Sequence, residues 1–199
     1  MFDGWMDLIT FVAAAAALLA TPGPTNTLLA TAGASQGAHA SARLLVAELA
    51  GYLLAILTLR TALGPVIAAV PAFGAALRVA VVLYLLYLAL VLWRHGAGEA
   101  SDAAPVTFRR VLITTLINPK AIIFAFTLLP EEAEIGSLLP WLVALALCIV
   151  TIGAAWVLLG ATLRRGLSDR VPSGVGYRCS AAGLTLLACV ITTRAILGA

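Results

Sequence analysis

Thr114-Thr115-Leu116-Ile117-Asn118-Pro119-Lys120 lies inside an apolar run that extends over about 106–129. Each of its last three residues is costly in the middle of a membrane-length helix. Proline removes a backbone donor and clashes with the preceding turn. A lysine at bilayer depth costs roughly 2.5–3.5 kcal/mol on insertion scales. Such residues belong where a helix breaks to build a polar site. The first apolar run holds a counterpart, Thr21-Pro22-Gly23-Pro24-Thr25-Asn26. Gly23 followed by Pro24 suits a helix restart, with glycine as the cap and proline at the first helical position. Asn118 suits the same capping role for a half-helix that begins at Pro119, and Pro130 ends it.

The composition agrees with lipid as the main solvent. Of 199 residues, 62% are hydrophobic and 11% charged, and the mean hydropathy is +1.07. A soluble domain of this size cannot bury so much apolar surface. Six runs approach the roughly 20 residues that span a bilayer: about 5–32 (interrupted), 44–63, 72–93, 106–129 (interrupted), 138–163 and 179–197. They lack the alternation of a membrane β-barrel. The expected fold is all-α integral membrane, with six transmembrane helices arranged as two inverted three-helix repeats and with helices one and four broken. The chain reads as one transporter domain, 1–199: repeat one over 1–94, a Gly-, Ala- and acid-containing linker over 95–105, and repeat two over 106–199. Gly64-Pro65 and Pro71 are expected to end span two and start span three. Three spans per half is an odd number, so the halves cross the membrane in opposite directions.

The net charge of +3 reads as topology, and no nucleic-acid partner is expected. With the amino terminus outside, the loops after spans one, three and five and their flanks carry eight arginines (Arg43, Arg94, Arg109, Arg110, Arg164, Arg165, Arg170 and Arg178), against three on the other side (Arg60, Arg78 and Arg194). This positive-inside bias puts both termini outside. The first basic residue is Arg43, after Asp3 and Asp7, so the first run reads as a retained span rather than a secretory leader.

Polarity suggests the chemistry. A broken helix frees N–H groups at the restart, which favour anions, and C=O groups at the stop, which favour cations. Lys120 adds a full positive charge, so a carboxylate is the natural guest. Freed carbonyls near Thr21 and Ile117 suit an ammonium group, and an amino acid carries both. The candidate substrate-binding residues are Pro22, Gly23, Pro24, Asn26, Thr114, Asn118, Pro119 and Lys120. Thr114 and Asn118, four apart, are expected on one face. The blander alternative is that the prolines kink packing helices and Lys120 snorkels. Glu48, one to two turns inside span two, is the candidate coupling residue; it either faces the interior or snorkels toward an arginine. Gly33, Gly37 and Ser41 read equally as a close-packing stripe or a turn. Tyr84, Tyr87, Cys148, Cys179 and Cys189 read as packing residues, and His95 as a linker residue. No cofactor or metal site is expected.

The pair Pro22-Gly23-Pro24 with Asn26, and Asn118-Pro119-Lys120-Ala121 leading to Phe124 and Leu129-Pro130, resembles the LysE/RhtB family of amino-acid exporters. Gly37, Gly51 and Tyr84-Leu85-Leu86-Tyr87-Leu88 fit the same pattern, and the resemblance covers essentially the whole chain. It implies a secondary active exporter of amino acids or close derivatives in the bacterial inner membrane. The resemblance also implies protons as the coupling partner, through the proton motive force, and assembly as a homo-oligomer. Three features depart from the pattern. Span five has no acidic residue, Glu131 stands where glutamine is common, and alanine and serine replace glycines after Gly37. They bear on the substrate and on the coupling residue, a role Glu48 is placed to take over.

Other classes fit less well. A membrane thiol-redox conduit needs cysteines in the broken spans, which have none. An intramembrane hydrolase needs a nucleophile with a base, and His39 and His95 fall in loops. The alternative function is an exporter of an ion or another small metabolite on the same scaffold.

Overall fold

The computed structural model describes residues 3–94, 106–130 and 135–163, and isolated positions 182, 185, 188, 189, 192 and 193. The described segments are all helical, with no strand among them. The Ala-rich α1 (Asp3–Ala20) breaks before α2 (Pro24–Gln36), and Gly37 leads into the single turn α3 (Ala38–Ser41). The long α4 (Arg43–Ala69) and α5 (Pro71–Arg94) follow. The next helix is again broken: α6 (Phe108–Leu116), then α7 (Lys120–Ile123), which runs on as a π-helical stretch over Phe124–Leu128. The last described helix is α8 (Ile135–Leu163).

Two helices, over 38–67 and 137–162, are long and apolar enough to cross a membrane, and the number rises to four if each bent pair counts as one span. Helix α5 contributes a shorter apolar stretch over 72–87. The first five expected runs therefore coincide with helices. The linker 95–105, the sixth run and Arg164, Arg165, Arg170, Arg178, Cys179 and Arg194 lie outside the described residues or beside the isolated ones. The apolar side chains that face outward, among them Leu54, Leu83, Leu147 and Leu158, are those a lipid solvent accepts.

The first break follows local rules. Gly23 is the extended N-cap of α2 and Pro24 occupies its first turn, where proline's missing donor costs nothing. The half-helices meet at 64°, and α6 and α7 at 51°. One boundary differs from expectation. Helix α4 does not end at Gly64-Pro65 but runs through Pro65 and stops at Val70, before Pro71. Pro65 removes only its own bond near the helix end, and a membrane helix has no water to offer the backbone a better alternative.

Two glycine contacts hold α2 against α8. A Cβ on Gly33 would meet the carbonyl oxygen of Val157, and a Cβ on Gly160 would meet that of Ala30. Backbones approach this closely only where no side chain intervenes. Gly37, at φ 85, instead supplies the left-handed turn that ends α2. Both readings of the glycine stripe therefore hold, each at its own residue. Farther in, Phe11 meets Trp141 edge-on at 5.2 Å, and Tyr52 meets Phe124 edge-on at 5.8 Å. Leu18, Leu19, Ile56, Leu145 and Ile149 fill the core around them.

Candidate functional site

Eight polar or charged residues are buried among those described, and seven of them lie at the two breaks or on the turn of α4 beside them: Thr21, Thr25, Asn26, Glu48, Thr115, Asn118 and Lys120. A buried polar group needs a partner, and the partners here join one break to the other.

At the first break, α1 ends with carbonyls that no helical N–H reaches. The Asn26 side chain folds back from the first turn of α2, and its Nδ2 donates to Leu19 O and Thr21 O, both at 2.7 Å. Lys120 arrives from the second break and donates from Nζ to the same Thr21 O at 2.7 Å. The backbone at Gly23 lies alongside this lysine, since a Cβ there would stand 3.5 Å from both Cε and Nζ. The carbonyl end that suited a guest's ammonium is therefore held by the protein's own ammonium. Lysine has three donors, so the remaining N–H groups of Lys120 can still serve an anion.

At the second break α7 begins at Lys120, with Pro119 as its N-cap residue, and Asn118, one residue earlier, accepts at Oδ1 from Lys120 N at 3.0 Å. Its Nδ2 donates to Thr25 Oγ1 at 3.1 Å and to Tyr52 Oη at 3.2 Å. Thr25 Oγ1 and Thr115 Oγ1 lie 3.2 Å apart, and Thr115 Oγ1 donates to Val111 O at 2.8 Å. One hydroxyl carries one proton, which fixes the order. Asn118 donates to Thr25, Thr25 to Thr115, and Thr115 to the α6 backbone.

The donors that would close on the Leu116 and Ile117 carbonyls in an unbroken helix turn elsewhere, Lys120 N to Asn118 Oδ1 and Ala121 N to Asn118 O. Beside them opens a groove of about 270 Å³, bounded by Ala55, Thr58 and Leu59 of α4 and by Leu116, Ile117, Asn118, Ala121 and Ile122.

Among the expected site residues, Asn26, Asn118 and Lys120 are drawn into one network, with Gly23 against it. Pro22 and Pro119 are half-buried at the bends, and Pro24 is exposed at the head of α2. Thr114 is half-buried and Thr115 carries the hydroxyl that enters the network. Helix α6 ends at Leu116, so Asn118 has left the helical register, and the hydroxyl linked to it through Thr25 is that of Thr115. Glu48 faces the interior, 1% exposed. Tyr52, bonded to Asn118, is a further residue of the network that sequence reasoning passed over, and Arg60 is a structural clamp it passed over. Tyr52 sits one turn beyond Glu48 on the same face of α4, the one signal that could have marked it. Arg60, counted as an outer-loop charge, donates from Nη1 to Ala125 O at 3.1 Å and from Nη2 to Pro130 O at 2.7 Å. It ties α4 to the π-helical stretch that follows the second break.

A family model described as LysE type translocator matches residues 16–195. The match takes in both breaks, Glu48 and the groove. No curated protein and no solved structure matches the chain significantly. Two apolar runs broken at Pro-Gly-Pro and Asn-Pro-Lys and joined through buried polar side chains, in a chain matched over most of its length, lead to one conclusion: this membrane chain belongs to the LysE type translocator family, whose members move small molecules across membranes.

Proposed function

We propose that the protein is a secondary active exporter of amino acids or close derivatives across the bacterial inner membrane, driven by the proton motive force. Its substrate is held at mid-membrane depth between the two broken helices. The observation that carries this reading is the bond from Lys120 Nζ to Thr21 O, which brings a buried cation and two interrupted backbones to one place. A carboxylate would be met by the free donors of Lys120. The substrate's ammonium would be met by freed carbonyls, at Leu116 and Ile117 beside the groove or at Thr21 when Lys120 moves. The binding surface is assigned to Pro22, Gly23, Pro24, Asn26, Thr114, Asn118, Pro119 and Lys120, with Thr115 added for its bond to Thr25.

The same reading divides the chain into inverted repeats, 1–94 and 106–199, around the linker 95–105, and puts both termini on the outer side of the inner membrane. The placing of the breaks in the first and fourth runs supports this, as does the arginine bias. Any homo-oligomer would use a face other than Gly33, which α8 already covers. The test is transport into inside-out vesicles under an imposed proton gradient, with a panel of labelled amino acids. Gradient-dependent uptake of one or more of them is expected. Uptake of none, with other small metabolites or ions carried instead, would overturn the amino-acid assignment.

A further inference from the structure

Glu48 is a buried carboxylate that the binding network does not use. It is 1% exposed, and its Oε2 has no hydrogen-bond partner. Its place is made by α8. A Cβ on Gly153 would collide with Oε2, and the Leu45 methyl Cδ2 stands 3.0 Å from that same Cβ position. The carboxylate therefore ends in a notch that exists because residue 153 has no side chain. An ionised carboxylate in apolar surroundings without a donor is costly, and ionisable groups kept at such depth mark proton and ion pathways.

The groups facing it are few. From α7 comes Lys120, the opposite charge that acts on Glu48. From its own helix comes Tyr52, one turn further on, with Tyr84 of α5 beyond it. Helix α8 presents Gly153, which has no polar side chain. Tyr52 Oη accepts from Asn118, so that bond leaves the tyrosine's own proton free. Glu48 is thus one helical turn from a hydroxyl that touches Asn118, and Asn118 accepts from Lys120 N.

We infer that Glu48, seated in the notch at Gly153, is the group that takes up and releases the coupling proton, and that this seat admits a proton but no metal cation. The inference rests on the export reading above. Taking up the proton forms an O–H bond at the carboxylate, with the proton drawn from the outer side. Releasing it to the cytoplasmic side breaks that bond and restores the negative charge facing Lys120. A hard metal cation gathers several oxygen ligands at once. No group of three or more His, Cys, Asp or Glu side chains that could hold a metal ion occurs among the described residues, and Oε2 itself has no hydrogen-bonding partner.

The test uses the full chain in lipid, as wild type, Glu48→Gln and Gly153→Ala. Without any substrate, difference infrared spectra across a pH change should show the carbonyl stretch of a protonated carboxylic acid in the wild type. That band should be missing in Glu48→Gln and shifted in Gly153→Ala. With substrate, Glu48→Gln should lose gradient-driven accumulation yet keep substrate-for-substrate counterflow. Replacing sodium by choline should change nothing in the wild type. The inference is overturned if the band persists in Glu48→Gln or if that variant still accumulates substrate under a proton gradient. It is equally overturned if the folded variant loses counterflow as well, or if a sodium gradient alone drives the wild type. A wild type that carries no amino acid would defeat the export reading, while the infrared band would still decide whether Glu48 takes a proton. Should Gly153→Ala fail to fold, Glu48→Gln decides alone.

Discussion

Lys120 Nζ reaches the carbonyl oxygen of Thr21 at 2.7 Å across 99 residues of sequence. That oxygen also accepts from Asn26, so the stop of one broken helix is closed partly by its own restart and partly by the restart of the other. Neither break is complete by itself. A rearrangement that frees Lys120 from Thr21 must also loosen the joint between α1 and α7.

Asn26 tests whether the first break is held by donors or by packing. Replacing it with alanine removes both bonds to Leu19 O and Thr21 O; Thr21 O keeps its bond from Lys120, so the cost is about 1–3 kcal/mol for the one acceptor, Leu19 O, left without its partner. Aspartate has nearly the same shape but sets carboxylate oxygens against two carbonyls. Asn26→Asp should therefore be the more damaging change, seen as a lower melting temperature in detergent than that of Asn26→Ala. Equal melting of the two variants would mean that packing, not donation, holds the bend.

The contact between α2 and α8 has no room for a methyl group. Gly33→Ala and Gly160→Ala each drive a Cβ into a carbonyl of the facing helix, and overpacking of this kind costs ~1–3 kcal/mol. Leu147→Ala, on an outward face of the same α8, is the comparison and should cost much less. Thermal unfolding of the three purified variants checks the order.

Arg60 forks between Ala125 O and Pro130 O. Lysine keeps the charge but cannot make both bonds in that geometry. Arg60→Lys should raise amide hydrogen exchange over 124–129, where Leu129 N closes a wide turn on Phe124 O, and leave α8 protected. Unchanged exchange in that stretch would show that the π-helical geometry stands without the clamp.

The sequence made the breaks legible because their rules are local. Gly23 and Pro24 state where a helix restarts, and Asn118 offers an acceptor to the first turn after a restart. What joins the breaks was not legible. Tyr52 meets Asn118 across 66 residues, and nothing in the identity of either residue announces the other. Arg60 bonds backbone carbonyls, which leave no mark in residue type, so it read as a topology charge alone. Thr115 was missed because the helical period was carried past the end of α6. Pro65 read as a stop because proline usually is one in water, whereas a helix in lipid has no better place for its backbone. The family match was legible from the same Pro-Gly-Pro and Asn-Pro-Lys residues that set the bends.

The central claim is that one site is built from both breaks. Its most direct test is gradient-driven transport of the best-carried amino acid by reconstituted wild type, Lys120→Ala and Asn118→Ala, each checked for folding by its melting curve. The account predicts that both folded variants lose transport, Lys120→Ala through the lost charge and Asn118→Ala through the lost acceptor for Lys120 N and the broken link to Thr25. Wild-type transport rates in both variants would contradict it, and the site would then lie elsewhere in the bundle.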